Sequence, residues 1–154
     1  MFRRLFPARI DNTYRGQKLA LWFLALLALM KVAIGLNSIF NGYVVATSAD
    51  GIPVDTFTPA GAQTVVSFLA IWGLSQLILG LVCILVLFRY RRMVPFMFAL
   101  LLLEHVCRKL ILHFLPVPTT GTPPGFIVNL VFLALMIVGL ALSLWSRGSL
   151  QAEE

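Results

Sequence analysis

Six polar side chains of this sequence could do chemistry, because each lies within an otherwise apolar stretch. A carboxylate, an imidazole, an amide and three cations in apolar surroundings can relay protons or bind a small polar molecule. An ionised side chain in the middle of a bilayer costs at least about 2.5 kcal/mol, so such a group has to be paired or hydrated. The candidates for a ligand-binding or proton-relay site are Lys31, Gln76, Glu104, His105, Arg108 and Lys109.

Lys31, Gln76 and Glu104 lie at one depth when their apolar stretches are drawn as helices. Lys31 lies 13 residues after Lys18, Glu104 lies 12 after Arg92, and Gln76 lies 12 before Phe88. These separations correspond to about 18–20 Å at the helical rise of 1.5 Å per residue. We therefore expect three helices to contribute to a single polar layer. Glu104 has two candidate partners, because Lys31 lies at the same depth and Arg108 lies one turn further along the same helix.

The third apolar stretch has a polar face that covers about half of the helix circumference at 100° per residue. That face cannot contact lipid along its whole length, so it faces the helix bundle, a water-filled cavity or another subunit. Asn37 and Ser38 extend the polar surface toward the outer end of the first stretch. Together these residues predict a cavity that opens outward and closes at the polar layer. The face consists of Glu104, His105, Arg108, Lys109 and His113.

The composition indicates a membrane protein. Hydrophobic residues make up 60% of the 154 residues and charged residues 12%, with a mean hydropathy of +0.94, whereas soluble domains hold about 45–50% and about 25%. A net charge of +6 would suggest nucleic acid as the partner of a soluble protein. Here most of the basic residues flank apolar stretches, where they set topology and contact anionic lipid. We expect the lipid bilayer as a partner, and no nucleic acid.

Four stretches are long enough to cross about 30 Å of hydrocarbon as helices. They cover about 19–40, 65–88, 93–115 and 126–145. Because no linker or low-complexity segment divides the chain, we expect one domain over 1–154. The predicted fold is an all-α membrane protein, a four-transmembrane-helix bundle.

Basic residues alternate between the two sides of these stretches, which predicts the orientation. Five precede the first stretch, three follow the second and one follows the fourth, whereas the loops after the first and third stretches have none. The positive-inside rule therefore places both termini in the cytoplasm. We expect the protein in the cell inner (plasma) membrane. These residues are Arg3, Arg4, Arg9, Arg15, Lys18, Arg89, Arg91, Arg92 and Arg147.

The loop after the first stretch contains residues typical of turns. Asp50 and Gly51 separate two strand-prone segments, which makes a small β-hairpin possible, although Pro53 is unfavourable within a strand. Thr58 and Thr122 are each followed by proline, a pattern typical of a helix N-cap and first helical position.

No sequence motif identifies an activity. The chain has no phosphate loop, no GxGxxG fingerprint, no HExxH pair and no EF-hand loop. Its two cysteines form no CxxC pair, which argues against a thiol oxidoreductase or a metal site. Both histidines lie on the third stretch, whereas a haem between helices needs histidines from different helices or faces. We therefore expect no cofactor and no bound metal.

Three functions fit these residues, and the sequence leaves them open. In the first, the protein binds or moves a small molecule, a lipid or a proton through the polar pocket, whose positive charge favours a small anionic or quinone-like ligand. In the second, it is an accessory subunit whose charged third helix docks on a membrane-protein partner or in a homo-oligomer. In the third, it is an enzyme that uses Glu104 and His105 as acid and base on a membrane-embedded substrate. Adjacent helical residues point about 100° apart, so a non-enzymatic role is favoured.

Overall fold

Four long helices form most of the structure, a computed structural model that describes residues 11–14, 16–121 and 123–145. They are α1 (Lys18–Phe40), α2 (Pro59–Arg89), α3 (Val94–Phe114) and α4 (Gly125–Leu144). The described residues contain no strand. The predicted stretches match these helices within one or two residues, except that α2 begins six residues earlier than expected. The predictions made for Arg3, Arg4, Arg9, Arg15, Thr122 and Arg147 fall outside the described residues.

Three of these helices are long and apolar enough to cross a membrane. They are α1, α2 and α4, judged by length and composition. Helix α3 is also long enough, with 21 residues. It contains three charged residues, Glu104, Arg108 and Lys109, and is therefore less apolar than the other three helices. The chain is therefore a helical protein with three candidate membrane helices in its described part.

Local sequence determines where the helices begin. Thr58 Oγ1 accepts a hydrogen bond from the backbone N–H of Gly61 at 3.2 Å, and Pro59 occupies the first helical position. This confirms the helix N-cap and first helical position predicted at Thr58 and Pro59, which lie six or seven residues before the predicted apolar stretch. Pro95 lies in the first turn of α3, where the N–H that proline lacks is not needed. The remaining positions of the four helices contain no proline, so their backbone hydrogen bonds continue without a break.

The predicted hairpin after α1 is wrong. Gly42–Val44 is helical and Val45–Ala49 forms one turn of π-helix. The backbone N–H of Asp50 donates to the carbonyl of Val45 at 3.0 Å, and Gly51 follows in the left-handed conformation with φ of 66°. Strand propensity is a weak preference that depends on context, and here helix-type hydrogen bonds satisfy the backbone instead.

Helices α1 and α2 pack closely because their glycines face each other. A Cβ atom added to Gly35 would lie 2.7 Å from the carbonyl oxygen of Gly73, and one added to Gly73 would lie 2.7 Å from Ser38 Cβ. Small residues allow such close approach in pairs of membrane helices. This contact brings Lys31 and Gln76 within hydrogen-bond distance of each other.

The interior differs between the two ends of the molecule. We call the end that carries residues 90–93 the turn end, and the end that carries the α1–α2 and α3–α4 loops the loop end. An apolar core fills the half nearer the turn end, and the polar candidates begin where this core stops. The core includes Leu24, Leu27, Cys83, Val86, Met97, Phe98, Leu101 and Met136.

Candidate functional site

Lys31, Gln76 and Glu104 form the polar layer expected from their depth. The Nζ of Lys31 donates to Gln76 Oε1 at 2.5 Å and to Glu104 Oε2 at 3.3 Å, and Gln76 Nε2 donates to Glu104 Oε1 at 3.3 Å. A closed ring of hydrogen bonds therefore joins α1, α2 and α3. Lys31 is only 5% exposed and Gln76 only 4%, so both polar groups are buried and satisfied.

Arg108 connects this layer to α4 and to the aromatic surface of α2. Its Nε lies 3.5 Å from Glu104 Oε1, and its Nη2 donates to Asn129 Oδ1 at 3.1 Å. Its guanidinium also lies 5.6 Å from the centre of the Trp72 ring, within the range of a cation–π contact. Asn129 is held in turn, because its Nδ2 donates to the carbonyl of Gly125 at 2.8 Å.

The contact between His105 and Arg108 fixes the protonation of the imidazole. His105 Nδ1 lies 3.2 Å from Arg108 Nη2. A guanidinium can only donate hydrogen bonds, so Nδ1 has to accept. The ring is therefore neutral, with its proton on Nε2. Because His105 is 2% exposed, this N–H group is buried.

A cavity of about 210 Å³ lies between the polar layer and the loop end. Lys31, His105 and Arg108 line its inner part, and apolar side chains such as Val45 and Phe132 line its walls. Two residues of the polar layer, Lys31 and Gln76, are part of its lining.

Three buried side-chain atoms in the described part of the chain have no hydrogen-bond partner in the protein. They are Ser38 Oγ, His105 Nε2 and Arg108 Nε. All three residues line the same cavity. Arg108 Nε already forms an ion pair with Glu104 Oε1 at 3.5 Å. Buried polar atoms are almost always hydrogen-bonded to protein or water, so Ser38 Oγ and His105 Nε2 are the two atoms that an occupant of this cavity can satisfy.

Two loops cover the cavity at the loop end. Both the backbone N–H and the hydroxyl of Thr120 donate to the carbonyl of Gly51, at 2.8 Å and 3.1 Å. Asp50 lines the cavity beside the start of α4, and a Cβ atom added to Gly125 would lie 3.5 Å from its Oδ1. Burial raises the pKa of Asp50, and the positive charge of Arg108 partly opposes this shift.

The structure brings together five of the six predicted site residues. The sixth, Lys109, is exposed, and its Nζ lies 5.5 Å from the centre of the Phe126 ring, away from the cavity lining.

Three residues of the site were not predicted from the sequence, namely Trp72, Asn129 and Asp50. Asn129 could have been predicted, because it is a polar residue inside the apolar stretch 126–145. Trp72 and Asp50 could not, since a tryptophan in an apolar helix and an aspartate in a loop are both common and indicate no site.

Comparison of the chain with protein-family models, with curated proteins and with solved structures finds no match. Within the described ranges, no three His, Cys, Asp or Glu side chains gather as metal ligands would.

Proposed function

We propose that this protein is a multi-pass membrane protein that binds or moves a small molecule through the cavity beside the polar layer. One observation carries the proposal. Two buried polar atoms without partners, Ser38 Oγ and His105 Nε2, belong to residues that line one cavity together with the cations Lys31 and Arg108. An ionisable cluster is also a costly way to hold helices together, and intramembrane clusters of this kind typically mark ligand or proton pathways.

In this proposal α3 is the fourth membrane crossing and completes a four-helix bundle. Its 21 residues extend for about 31 Å, which matches the hydrocarbon thickness. Two of its charged side chains contact other helices, since Glu104 pairs with Lys31 and Arg108 binds Asn129. Lys109 lies close enough to the loop end for its side chain to reach the membrane interface.

The turn end is cytoplasmic in this proposal, which places both termini inside the cell. The two loops at the opposite end contain Asp50 and Asp55 and no lysine or arginine. Cytoplasmic segments are rich in lysine and arginine, which supports this orientation in the inner (plasma) membrane. The basic residues of the turn end in the described chain are Lys18, Arg89, Arg91 and Arg92.

A docking role for α3, as in an accessory subunit or a homo-oligomer, has less support. Its polar face is mostly engaged within the chain, because Glu104, His105 and Arg108 have contacts to one another and to other helices. Of this face, Lys109 and His113 are the exposed residues.

An enzymatic role for the Glu104 and His105 pair also has less support. Glu104 is bound by Lys31, Gln76 and Arg108, and it is not among the residues that line the cavity. The two candidate groups therefore do not converge on one position where a substrate atom could react.

Native mass spectrometry of the protein released from its own membrane tests the proposal. Val45 lines the cavity and is 8% exposed, whereas its neighbour Val44 is 57% exposed. We expect a small molecule to stay bound to the wild type and to Val44→Phe, and to be lost from Val45→Phe, whose added ring occupies the cavity. A stoichiometric partner chain without any small molecule would instead indicate an accessory subunit.

A further inference from the structure

We infer that the ligand of this cavity is a small organic monoanion, a carboxylate with a mainly apolar body, rather than a quinone. The inference rests on the proposed function and specifies its ligand class. Three features of the described residues support it. They are the hydrogen-bond donors that have no acceptor in the protein, the net charge around the cavity, and the apolar side chains that line it.

The inner part of the cavity offers hydrogen-bond donors. His105 carries its proton on Nε2, because Nδ1 accepts from Arg108. Lys31 has three donor hydrogens, and its Nζ has two acceptors in the protein, on Gln76 and Glu104. One hydrogen of Lys31 and the Nε2–H of His105 therefore remain for an occupant. The complementary ligand atoms are acceptors, such as carboxylate oxygens.

The charges around the inner part of the cavity do not cancel. Lys31 and Arg108 are positive, Glu104 is negative and His105 is neutral, which leaves one positive charge. In apolar surroundings an unbalanced charge is costly. A monoanion restores neutrality, whereas a neutral quinone leaves the excess charge in place.

Asp50 does not supply the missing negative charge at this position. It lines the same cavity as Arg108. Burial raises the pKa of Asp50, and the positive charge of Arg108 only partly opposes this shift. Burial therefore disfavours the charged form of Asp50 that could balance the excess positive charge.

The side chains that line the cavity, and its volume, indicate the polarity and size of the rest of the ligand. Val45, Phe132 and Met136 line the cavity together with the Trp72 ring, so an apolar body contacts apolar side chains. The volume of about 210 Å³ is below the roughly 300–1,000 Å³ of sites for drug-sized ligands. A ring with one carboxylate, of about ten non-hydrogen atoms, is the size that such a space suits.

Titration calorimetry with four single-ring probes tests this inference on the purified full-length chain in micelles. The probes are benzoate, its neutral analogue benzamide, the cation benzylammonium and the neutral quinone duroquinone. We expect benzoate to bind at least about tenfold more tightly than either neutral probe, because charge-assisted hydrogen bonds are the stronger ones. Benzylammonium should not bind.

Variants locate the binding and separate the two claims. Val45→Phe should abolish benzoate binding, and the matched Val44→Phe should not. Binding of benzamide or duroquinone as tightly as benzoate, and still lost in Val45→Phe, would overturn the carboxylate inference but keep the proposed pocket. Binding of none of the four probes, or binding unchanged in Val45→Phe, would overturn both.

The role of the His105 donor is tested by a pair of substitutions. His105→Leu removes the N–H group, and we expect it to weaken benzoate binding about tenfold, the effect of losing a hydrogen bond to a charged group. His105→Gln places an amide N–H donor near the same position and should stay within about threefold of the wild type. The melting temperature of each variant shows whether it is folded. If both folded variants bound benzoate with equal affinity, His105 would not be a donor to the ligand.

Discussion

At the scale of single residues, the ion pair between Lys31 and Glu104 decides how charge is held in the interior. The two side chains are 3.3 Å apart, and the Lys31 side chain is 6% exposed. Removing one partner of a buried pair leaves the other charge uncompensated, which is the main cost of such a change. The pair therefore stabilises an ionised Lys31 in the interior, beside the cavity that this residue lines.

Lys31→Met is expected to lower the free energy of unfolding by about 3 kcal/mol, the low end for a broken buried pair. The low end applies because Arg108 and Gln76 still contact Glu104. Equilibrium unfolding in mixed micelles measures the change. The exposed Lys18→Met serves as the control and should change the value by less than about 0.5 kcal/mol.

The double variant Lys31→Met with Glu104→Gln should recover most of that loss, because no ionised carboxylate then remains without its lysine partner. If Lys31→Met alone were as stable as the wild type, the ion pair would not be a stabilising contact.

Asp11 at the turn end gives a pH-dependent prediction. Its pKa is lowered from 3.8 to about 2, mainly by the Thr13 hydroxyl and backbone N–H and further by Arg92. A carboxyl whose pKa is lowered on folding stabilises the folded state above pH 3.8, and this stabilisation disappears as the pH falls through about 2.

Carbon NMR of the Asp11 carboxyl group should show a midpoint near pH 2. In Thr13→Val the midpoint should rise toward 3.8, by more than in Arg92→Gln, because the hydrogen bond from the Thr13 hydroxyl is the largest cause of the shift. A midpoint unchanged in Thr13→Val would contradict this account.

The sequence predicted the hydrogen-bonded residues of the polar layer better than the rest of the site. Lys31 and Glu104 are costly in an apolar stretch, and a shared depth makes each the natural partner of the other. Trp72 could not be predicted, because its role depends on how α2 is rotated relative to Arg108. Lys109 was placed in the site because of its charge, although its side chain points to the Phe126 ring.

At the scale of helices, the close contact of α1 and α2 positions the layer. Gly35 and Gly73 leave no room for a Cβ atom, since the nearest atoms are backbone groups and the Cβ atoms of Ser38 and Leu77. Backbone cannot shift as a flexible side chain can, so a larger residue here separates the helices and displaces Lys31 from Gln76.

Gly73→Val is therefore expected to destabilise the fold by about 2–3 kcal/mol, the upper part of the range for overpacking. The same substitution two residues away, Ser75→Val on the exposed face of α2, is the matched control and should cost less than about 0.5 kcal/mol. Unfolding in mixed micelles measures both variants. Equal stabilities would mean that α1 and α2 are not held in close contact.

Element boundaries followed from the sequence where a strong physical rule applies. An apolar run must be helical to satisfy its backbone in lipid, so the four helices were predicted, and Thr58 with Pro59 marks the start of α2. The segment after α1 follows no such rule. Its π-helical turn at Val45–Ala49 and the left-handed Gly51 depend on contacts with the other loop, where Thr120 binds the Gly51 carbonyl.

At the scale of the whole molecule, an apolar half and a polar half share one set of helices. The apolar core at the turn end holds the helices together, which leaves the loop half free to contain a cavity. The sequence predicted the level at which the polar half begins, because depth along a helix can be counted. It could not predict the cavity volume, which depends on how four helices pack.

Accessibility of single cysteines tests the proposed orientation. In a background with Cys83→Ala and Cys107→Ala, Thr119→Cys lies in the α3–α4 loop and Arg91→Cys in the turn after α2. A membrane-impermeant maleimide should label position 119 in intact cells, and position 91 only after the cells are permeabilised. Labelling of both positions on one side would mean that α3 does not cross the membrane.

The cavity and its occupant are the central claim, and a crystal structure of the full chain grown from lipid tests it most directly. The account predicts ordered density in the cavity, with an atom at roughly 2.7–3.2 Å from His105 Nε2 and in contact with Ser38 Oγ. It would be contradicted by a cavity closed by side chains, with His105 Nε2 hydrogen-bonded to another group of the protein.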